Sequence, residues 1–397
     1  MGAPMSGPAR PPVILQVLPA LQAGGVERGT IEIVRAIAEA GGVALVASAG
    51  GRMSHQVQRA GGRHITMKLL TKNPLGIWLN AGRLARLIRA EGVDIVHARS
   101  RAPAWSAMLA ARRTKAAFVT TWHGVYGEDL PFKRHYNAIM ARGDRVIAIS
   151  GFVAERITRD YHVGPDRLRT IPRGADVALF NNQSMRGDRL HTLSRDWNLP
   201  DGAAVIMVAG RITAWKGHGL LLDALARLPA DTPSWVCVLV GPEQRSSAYA
   251  RSLLVQAERL GIAHRLRFAG HCDDMPAAFS LADIVVVPSE KPEPFGRVVV
   301  EAQAMGRVVV VAGHGAATET VQHGVSGYLF PPGDAGVLAD TLAFVLSLSA
   351  TDRENLGYWA RAGVVEHYSA EAMQRATLAV YDELLSTRPG SPTWPAS

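Results

Sequence analysis

Two carboxylates, Glu293 and Glu301, stand with seven residues between them in the stretch Pro288-Ser-Glu-Lys-Pro-Glu-Pro-Phe-Gly-Arg-Val-Val-Val-Glu-Ala-Gln-Ala-Met-Gly306. The apolar run Ile284-Val-Val-Val287 stops at this Pro-rich loop, and good helix formers surround Glu301, so the stretch reads as strand, loop and helix. Glu293 falls in the loop and Glu301 on the first turns of the helix, about two turns further on. One carboxylate can meet a ligand from the loop while the other reaches it from the helix. The helix start adds backbone N–H groups that favour an anion, and ligands of open α/β sheets bind beyond the carboxyl ends of the strands. A second constellation, Gly210-Arg-Ile-Thr-Ala-Trp-Lys-Gly217, joins the apolar run at 204–209 to a Leu-rich helix. Arg211 and Lys216, five positions apart at a strand-to-helix junction, suit a diphosphate; either cation alone would mean little.

The Glu293 and Glu301 spacing, with Pro294-Phe295-Gly296 directly behind the first Glu, resembles the E-x7-E signature of retaining GT-B glycosyltransferases of the family 4 type. Gly210 to Gly217 matches that family's G-R-x4-K-G pattern residue for residue. The resemblance implies a GT-B fold: two Rossmann-like, doubly wound parallel-sheet domains with an inter-domain cleft. It implies a nucleotide-diphosphate sugar as donor, with a UDP-sugar the first expectation, and neither cofactor nor metal. Arg211 and Lys216 would take the diphosphate, Glu301 the ribose hydroxyls and Glu293 the sugar hydroxyls. Phe295, Gly296, Arg297 and Val298 would shape the donor pocket. His271 and Cys272, just past Gly270, are the implied contacts to the base.

In the first half, Gly24-Gly25-Val-Glu-Arg28 resembles the family's donor-facing loop, which assigns Gly25 to the donor; from the residues alone, a turn glycine is an equal reading. His123, in Thr120-Thr-Trp-His-Gly124, stands just past a strand end. A lone histidine there is more often structural, but the resemblance sets it against the transferred sugar. Catalysis would thus rest on His123, Arg211, Lys216 and Glu293. Arg99 and Arg101 follow another strand and are directed by topology to one cleft, where an arginine can hold phosphate or carboxylate. With Ser150, whose simpler reading is a helix N-cap, they are the acceptor candidates. Ile171-Pro-Arg-Gly-Ala-Asp176 resembles the family's I-P-N-G-V-D segment, with Arg173 in place of the usual Asn. Asp273-Asp274 precedes Met275-Pro276 as a helix entry, a simpler reading than a metal pair because adjacent side chains diverge.

The elements that must position these groups are alternating strands and helices, hence parallel sheets. A chain of 397 residues implies two domains. We expect a leader without structure over 1–12, an acceptor-side domain over 13–180, a polar linker over 181–196 and a nucleotide-sugar domain over 197–369. A last helix at about 370–386 would return to the first domain, and a Pro-rich tail over 387–397 would be unstructured.

Hydrophobic residues make up 48% and charged residues 19%, which describes a globular chain, and no apolar run approaches the ~20 residues of a spanning helix. Two cysteines, Cys237 and Cys272, give neither a disulfide framework nor a metal pattern, so a cytoplasmic setting is expected. Residues 1–180 carry 25 Lys and Arg against 12 Asp and Glu, and the remainder 18 against 22. With aromatics at 6%, a stacking surface for nucleic acid is not expected. An anionic acceptor, or peripheral contact with the inner face of the cytoplasmic membrane, fits the basic half better. The expected activity is therefore retaining glycosyl transfer to a glycan or lipid-linked acceptor, as in bacterial lipopolysaccharide or other envelope polysaccharide synthesis. The alternative is a GT-B-like protein that binds nucleotide sugar without catalysis and partners an active transferase. A dinucleotide-dependent oxidoreductase would need a G-x-G-x-x-G turn after the first strand, which Gly24-Gly25 does not supply.

Overall fold

The computed structural model describes residues 10–22, 24–127, 131–242, 248–387 and 392–395. The chain divides into two compact units, one running to Arg173 and resuming at Glu371, the other spanning Gly174–Ala370.

The first unit is built on seven strands: β1 (Val13–Val17), β2 (Val43–Ser48), β3 (Arg63–Thr66), β4 (Ile95–Ala98), β5 (Ala117–Trp122), β6 (Arg145–Ala148) and β7 (Leu168–Thr170). All pair in parallel, in the order β3-β2-β1-β4-β5-β6-β7. Central strands are buried and mostly apolar because helices cover both faces of a parallel sheet; β1 is buried at every position, Gln16 included. The helix Gly25–Glu39 lays Ile33, Val34 and Ile37 on one side of the sheet. The last helix, Ala370–Ser386, contributes Met373, Val380, Tyr381 and Leu385 to the same core.

The second unit holds β8 (Ala204–Ala209), β9 (Trp235–Val240), β10 (Leu266–Gly270), β11 (Ile284–Val287), β12 (Val308–Ala312) and β13 (Tyr328–Phe330), again all parallel. Their order is β10-β9-β8-β11-β12-β13. Each sheet therefore reverses its winding once, between β1 and β4 in the first unit and between β8 and β11 in the second. Those reversals open the crevices where doubly wound sheets take ligands.

Three expectations change. The division falls at Arg173 rather than 180, and the stretch expected as a linker is structured. It holds a 3-10 turn, Asn182–Ser184, and a helix, Gly187–Asp196, whose Arg189 makes paired bonds of 2.8 and 2.5 Å to Asp274. A polar surface helix of this kind carries no long apolar stripe for sequence periodicity to register. Of the expected leader, residues 1–9 lie outside the described residues, as do 388–391 and 396–397 of the expected tail. Trp394 of that tail packs on the first unit's core, beside Gly42, where a Cβ would come within 2.6 Å of the indole.

Candidate functional site

In the second unit, β8 ends at Gly210 and β11 at Pro288, so their following loops flank the reversal of the sheet. The loops touch backbone to backbone. Gly217, at φ 75°, lies so close to Pro288 that a Cβ would come within 1.8 Å of its carbonyl oxygen, and Glu290 N donates to Trp215 O at 2.9 Å. Across this contact Lys216 Nζ meets Glu293 Oε1 at 2.5 Å, each side chain only 15% exposed. The Lys216 ammonium also lies 4.5 Å from the centre of the Trp215 ring. Arg211, on the same loop, is exposed.

Glu293 is held from three sides. Ser289 Oγ donates to its Oε1 at 2.6 Å, and Ala316 N donates to its carbonyl at 3.0 Å. The Gly315 backbone at φ 61° leaves no room for a side chain, since a Cβ would sit 2.6 Å from the Glu293 carbonyl oxygen. His314 Nε2 in turn donates to Ser289 O at 2.8 Å, which ties the loop after β12 to the loop after β11. Ser289 and His314 went unassigned in the sequence. Phe295 is buried with its ring 6.0 Å from that of Tyr368, and Gly296, at φ 83°, starts the helix Arg297–Ala304. On that helix Arg297 Nε donates to Glu301 Oε1 at 3.1 Å, and Glu301 is 7% exposed. A small cavity of about 10 Å³ opens between Ser289, Glu293, Phe295, Gly296 and His314, with Val298 half-buried nearby in sequence. Lys216, Glu293 and the start of the Glu301 helix thus belong to one crevice.

His271 and Cys272 follow β10, two strands away from β8, a separation of roughly 10 Å. His271 is exposed and pairs with Asp273 at 3.0 Å, while burial pushes the Cys272 thiol up. Asp274 accepts from Ala277 N at 3.2 Å as an N-cap, consistent with a helix-entry role.

In the first unit, Gly25 follows β1, Arg99 follows β4, His123 follows β5 and Arg173 follows β7, all at the carboxyl side of the sheet. Arg173, which the sequence marked only as a departure, is 5% exposed and donates Nη2 to the Gly25 carbonyl at 2.5 Å. It also approaches Glu32 at 3.8 Å. Its guanidinium fills the space a side chain on Gly29 would need. Arg99 is 3% exposed, and its Nε is buried with no hydrogen-bond partner among the described residues. His123 Nε2 is in the same condition. Burial, then the charges of Arg99 and Arg173 and the neighbouring His97, hold the His123 imidazole well below its ordinary range, so it is neutral at pH 7.

Two acceptor candidates are engaged elsewhere. Arg101 does not share a direction with Arg99: its Nη1 donates to Asn137 Oδ1 at 2.7 Å and its guanidinium lies 4.1 Å from the centre of the Tyr126 ring. Ser150 accepts from Val153 N at 3.1 Å and caps the helix Gly151–Tyr161, the simpler of its two readings.

Residues 23–179 match the model of Glycosyltransferase Family 4, and residues 191–363 that of Glycosyl transferases group 1. A D-inositol 3-phosphate glycosyltransferase of Geodermatophilus obscurus is 34% identical over 253 residues, 60% of this chain and 55% of the relative. The chain therefore spans about half the length of that relative. D-inositol 3-phosphate glycosyltransferase 1 of Catenulispora acidiphila is 31% identical over 332 residues, 78% of this chain and 77% of the relative. Among solved structures, a glycosyltransferase from Rickettsia africae aligns with a TM-score of 0.89 at 33% identity, over 95% of this chain and all of that one. Anabaena HepE, solved with UDP and glucose, aligns at 0.78 and 24% identity over 93% and 99%, a likeness of fold. With both halves matched by these models and more than three quarters of a relative spanned, the chain belongs to the family 4 type of glycosyltransferases and has their GT-B fold of two Rossmann-like domains.

Proposed function

We propose that this protein transfers a sugar from a nucleotide-diphosphate sugar to an acceptor hydroxyl, with retention at the anomeric carbon. The observation that carries the reading is the Lys216–Glu293–Ser289 cluster at the winding reversal of the second sheet. In the reaction the bond from the anomeric carbon to the β-phosphate oxygen breaks, and negative charge grows on the diphosphate. Lys216 and the exposed Arg211 supply preorganised positive charge for it, an effect that usually provides the largest single catalytic contribution. The backbone N–H groups of the helix that starts after Gly296 add to it. Glu293 holds the sugar hydroxyls and Glu301 the ribose hydroxyls.

Retention is reached by front-side attack: the acceptor oxygen bonds to the anomeric carbon on the face the diphosphate leaves, and the acceptor proton passes to the departing phosphate oxygen. A double displacement would need a carboxylate nucleophile. The first-unit candidate nearest the sugar by resemblance is His123, which as a neutral imidazole serves as a hydrogen-bonding contact to the sugar. UDP is the expected nucleotide, with His271 and Cys272 the contacts to its base.

For the acceptor, a bacterial envelope glycan or its lipid-linked precursor, as in lipopolysaccharide synthesis, is the primary reading. The names of the relatives favour a second, a phosphorylated cyclitol. Cytoplasmic action at the membrane face is supported by the helix Pro74–Glu91, where Leu75, Trp78 and Leu79 are exposed together with Arg83, Arg86 and Arg89. Among the described residues no single helix is long and apolar enough to cross a membrane.

A thermal-shift panel of nucleotide sugars tests the donor assignment, because a ligand that binds only the folded state raises Tm. A rise with at least one nucleotide-diphosphate sugar, lost in Lys216→Ala, is expected. No rise with any of them overturns the reading.

A further inference from the structure

The amino-terminal edge of the first sheet carries a groove that the proposed transfer does not use. Its volume is about 310 Å³, against about 10 Å³ for the space beside Glu293, and it falls within the roughly 300–1,000 Å³ of small-molecule sites. Its residues come from the end of the helix Arg101–Thr114, the start of β5 and the turn before β6. His123 leaves β5 at the other end, so the groove lies on the edge of the sheet opposite to the residues assigned to the sugar.

Two chemistries meet in this groove. Met108 and Phe118, each 4% exposed, give an apolar wall, and Arg112, Lys115 and Arg142 give three cations. A helix C-terminus attracts cations, which accounts for Arg112 and Lys115 at the end of their helix. It does not account for Arg142, which reaches the same space from a separate turn. Lys115 sits in the left-handed region at φ 60°, a conformation that Gly92 takes at the matching end of the helix Pro74–Glu91, so a side chain is kept there at a cost in strain. Asp144, the carboxylate of the groove, is committed to the backbone: its Oδ2 accepts from Phe118 N at 2.8 Å. The Arg142 guanidinium lies 6.0 Å from the centre of the Trp105 ring, and among the described residues neither it nor Arg112 forms an ion pair. The turn that carries Arg142 is fixed. Arg167 Nη1 donates to the carbonyls of Ala141 and Gly143 at 3.2 and 3.3 Å, and Asp144 N donates to Phe118 O at 2.7 Å. Cations on fixed walls bind an anion without first being ordered.

We propose that this groove binds a phosphate group, as a monoester or a diphosphate, with the apolar wall taking the carbon part of its carrier. Arginine holds phosphate through paired hydrogen bonds, and two guanidinium groups from different elements can hold one between them. A soluble phosphate ester and a phospholipid headgroup present the same chemistry. The site is additional to the donor site and does not depend on the reaction assigned there.

The test titrates glycerol 3-phosphate and pyrophosphate into the full chain by calorimetry at fixed ionic strength, with Lys216→Ala as the background so that the donor crevice does not contribute. Binding of at least one is expected, weakened about tenfold or more when Arg112→Gln or Arg142→Gln is added, as for the loss of one hydrogen bond to a charged group. Both side chains are exposed, so these variants should keep the Tm of their parent. Arg86→Gln removes an exposed cation of the helix Pro74–Glu91, outside the groove, and should leave binding unchanged. Co-sedimentation with vesicles of phosphatidylglycerol and phosphatidylcholine separates the sources. Sedimentation that Arg112→Gln and Arg142→Gln weaken assigns a headgroup, whereas soluble phosphates bound with sedimentation absent, or equal in the variants, assign a soluble ester. Affinities that the two groove variants leave unchanged, or that Arg86→Gln lowers as much, overturn the proposal. So does a chain that retains neither the soluble phosphates nor the vesicles.

Discussion

Lys216 Nζ lies 2.5 Å from Glu293 Oε1, and Ser289 Oγ lies 2.6 Å from the same oxygen, so one carboxylate oxygen joins the loop after β8 to the loop after β11. Both charged side chains are mostly enclosed, which makes the pair a positioning contact as well as an electrostatic one. Lys216→Ala and Glu293→Ala should each lower kcat about 100- to 1,000-fold, the range for removing one preorganised charge contact. Ser289→Ala loses one hydrogen bond to a charged group, about 1.5 kcal/mol or roughly tenfold. Steady-state rates with the best donor of the thermal-shift panel check the order; a Ser289 variant as damaged as the Lys216 variant would contradict it.

Gly217 supplies a separate test of the same loop contact. Its φ of 75° is close to the 73° of Gly261, yet a Cβ on Gly217 would strike the Pro288 carbonyl oxygen at 1.8 Å, while one on Gly261 would meet nothing within 4 Å. Gly261→Ala should therefore cost only the left-handed strain, about 1 kcal/mol. Gly217→Ala should cost clearly more and also weaken donor binding, since Lys216 and Glu293 face each other across the contact that must open. Paired melting curves settle it, and equal Tm losses would refute the steric account.

The strands that carry the sites were legible because they are buried and β-branched: Ile284–Val287 and Val308–Ala312 cannot easily be anything else. The edge strands Arg63–Thr66 and Leu168–Thr170 were not, being short, polar and half-exposed, with pairing that only the sheet supplies. Lys216 and Glu293 announced themselves by spacing and residue type. Ser289 and His314 did not, because their part is a relay of hydrogen bonds between loops 25 positions apart. Arg173 was visible as a substitution, but its burial over Gly29 depends on a helix far earlier in the chain. The first-unit candidates were least legible for this reason: Gly25, Arg99, His123 and Arg173 follow four different strands, and none shares a local motif with another.

The last helix is keyed to the first sheet by a polar chain. Tyr381 OH and His97 Nδ1 are 2.7 Å apart, and His97 Nε2 lies 2.7 Å from Thr121 Oγ1, all three groups buried. Tyr381→Phe keeps the packing but strands one buried imidazole nitrogen, at a cost of about 1–3 kcal/mol. Urea unfolding should show that loss, and adding His97→Phe and Thr121→Val to Tyr381→Phe should recover part of it, since all three partners of the chain are then apolar. No loss in the single variant would mean that the hydroxyl contributes nothing.

Acid sensitivity should come in part from His218, which opens the helix His218–Leu225 directly after Lys216 and Gly217. Burial pushes its imidazole down from 6.5 to about 4; a contact with the Thr213 backbone opposes this, and the nearby Lys216 charge adds to it. Between those two values the unfolded chain holds the proton and the folded chain does not, so stability rises with pH across that window. The contribution is complete above about pH 6.5 and is lost as the pH falls toward 4, amounting to about 3 kcal/mol. His97 and His123 are lowered in the same direction, so the wild-type slope contains all three and only a difference isolates one. Unfolding free energies of wild type and His218→Gln at pH 5, 6 and 7 should converge toward the acid end, because the variant has no proton to gain at that position. Parallel curves, offset by a constant, would show that His218 is protonated equally in both states.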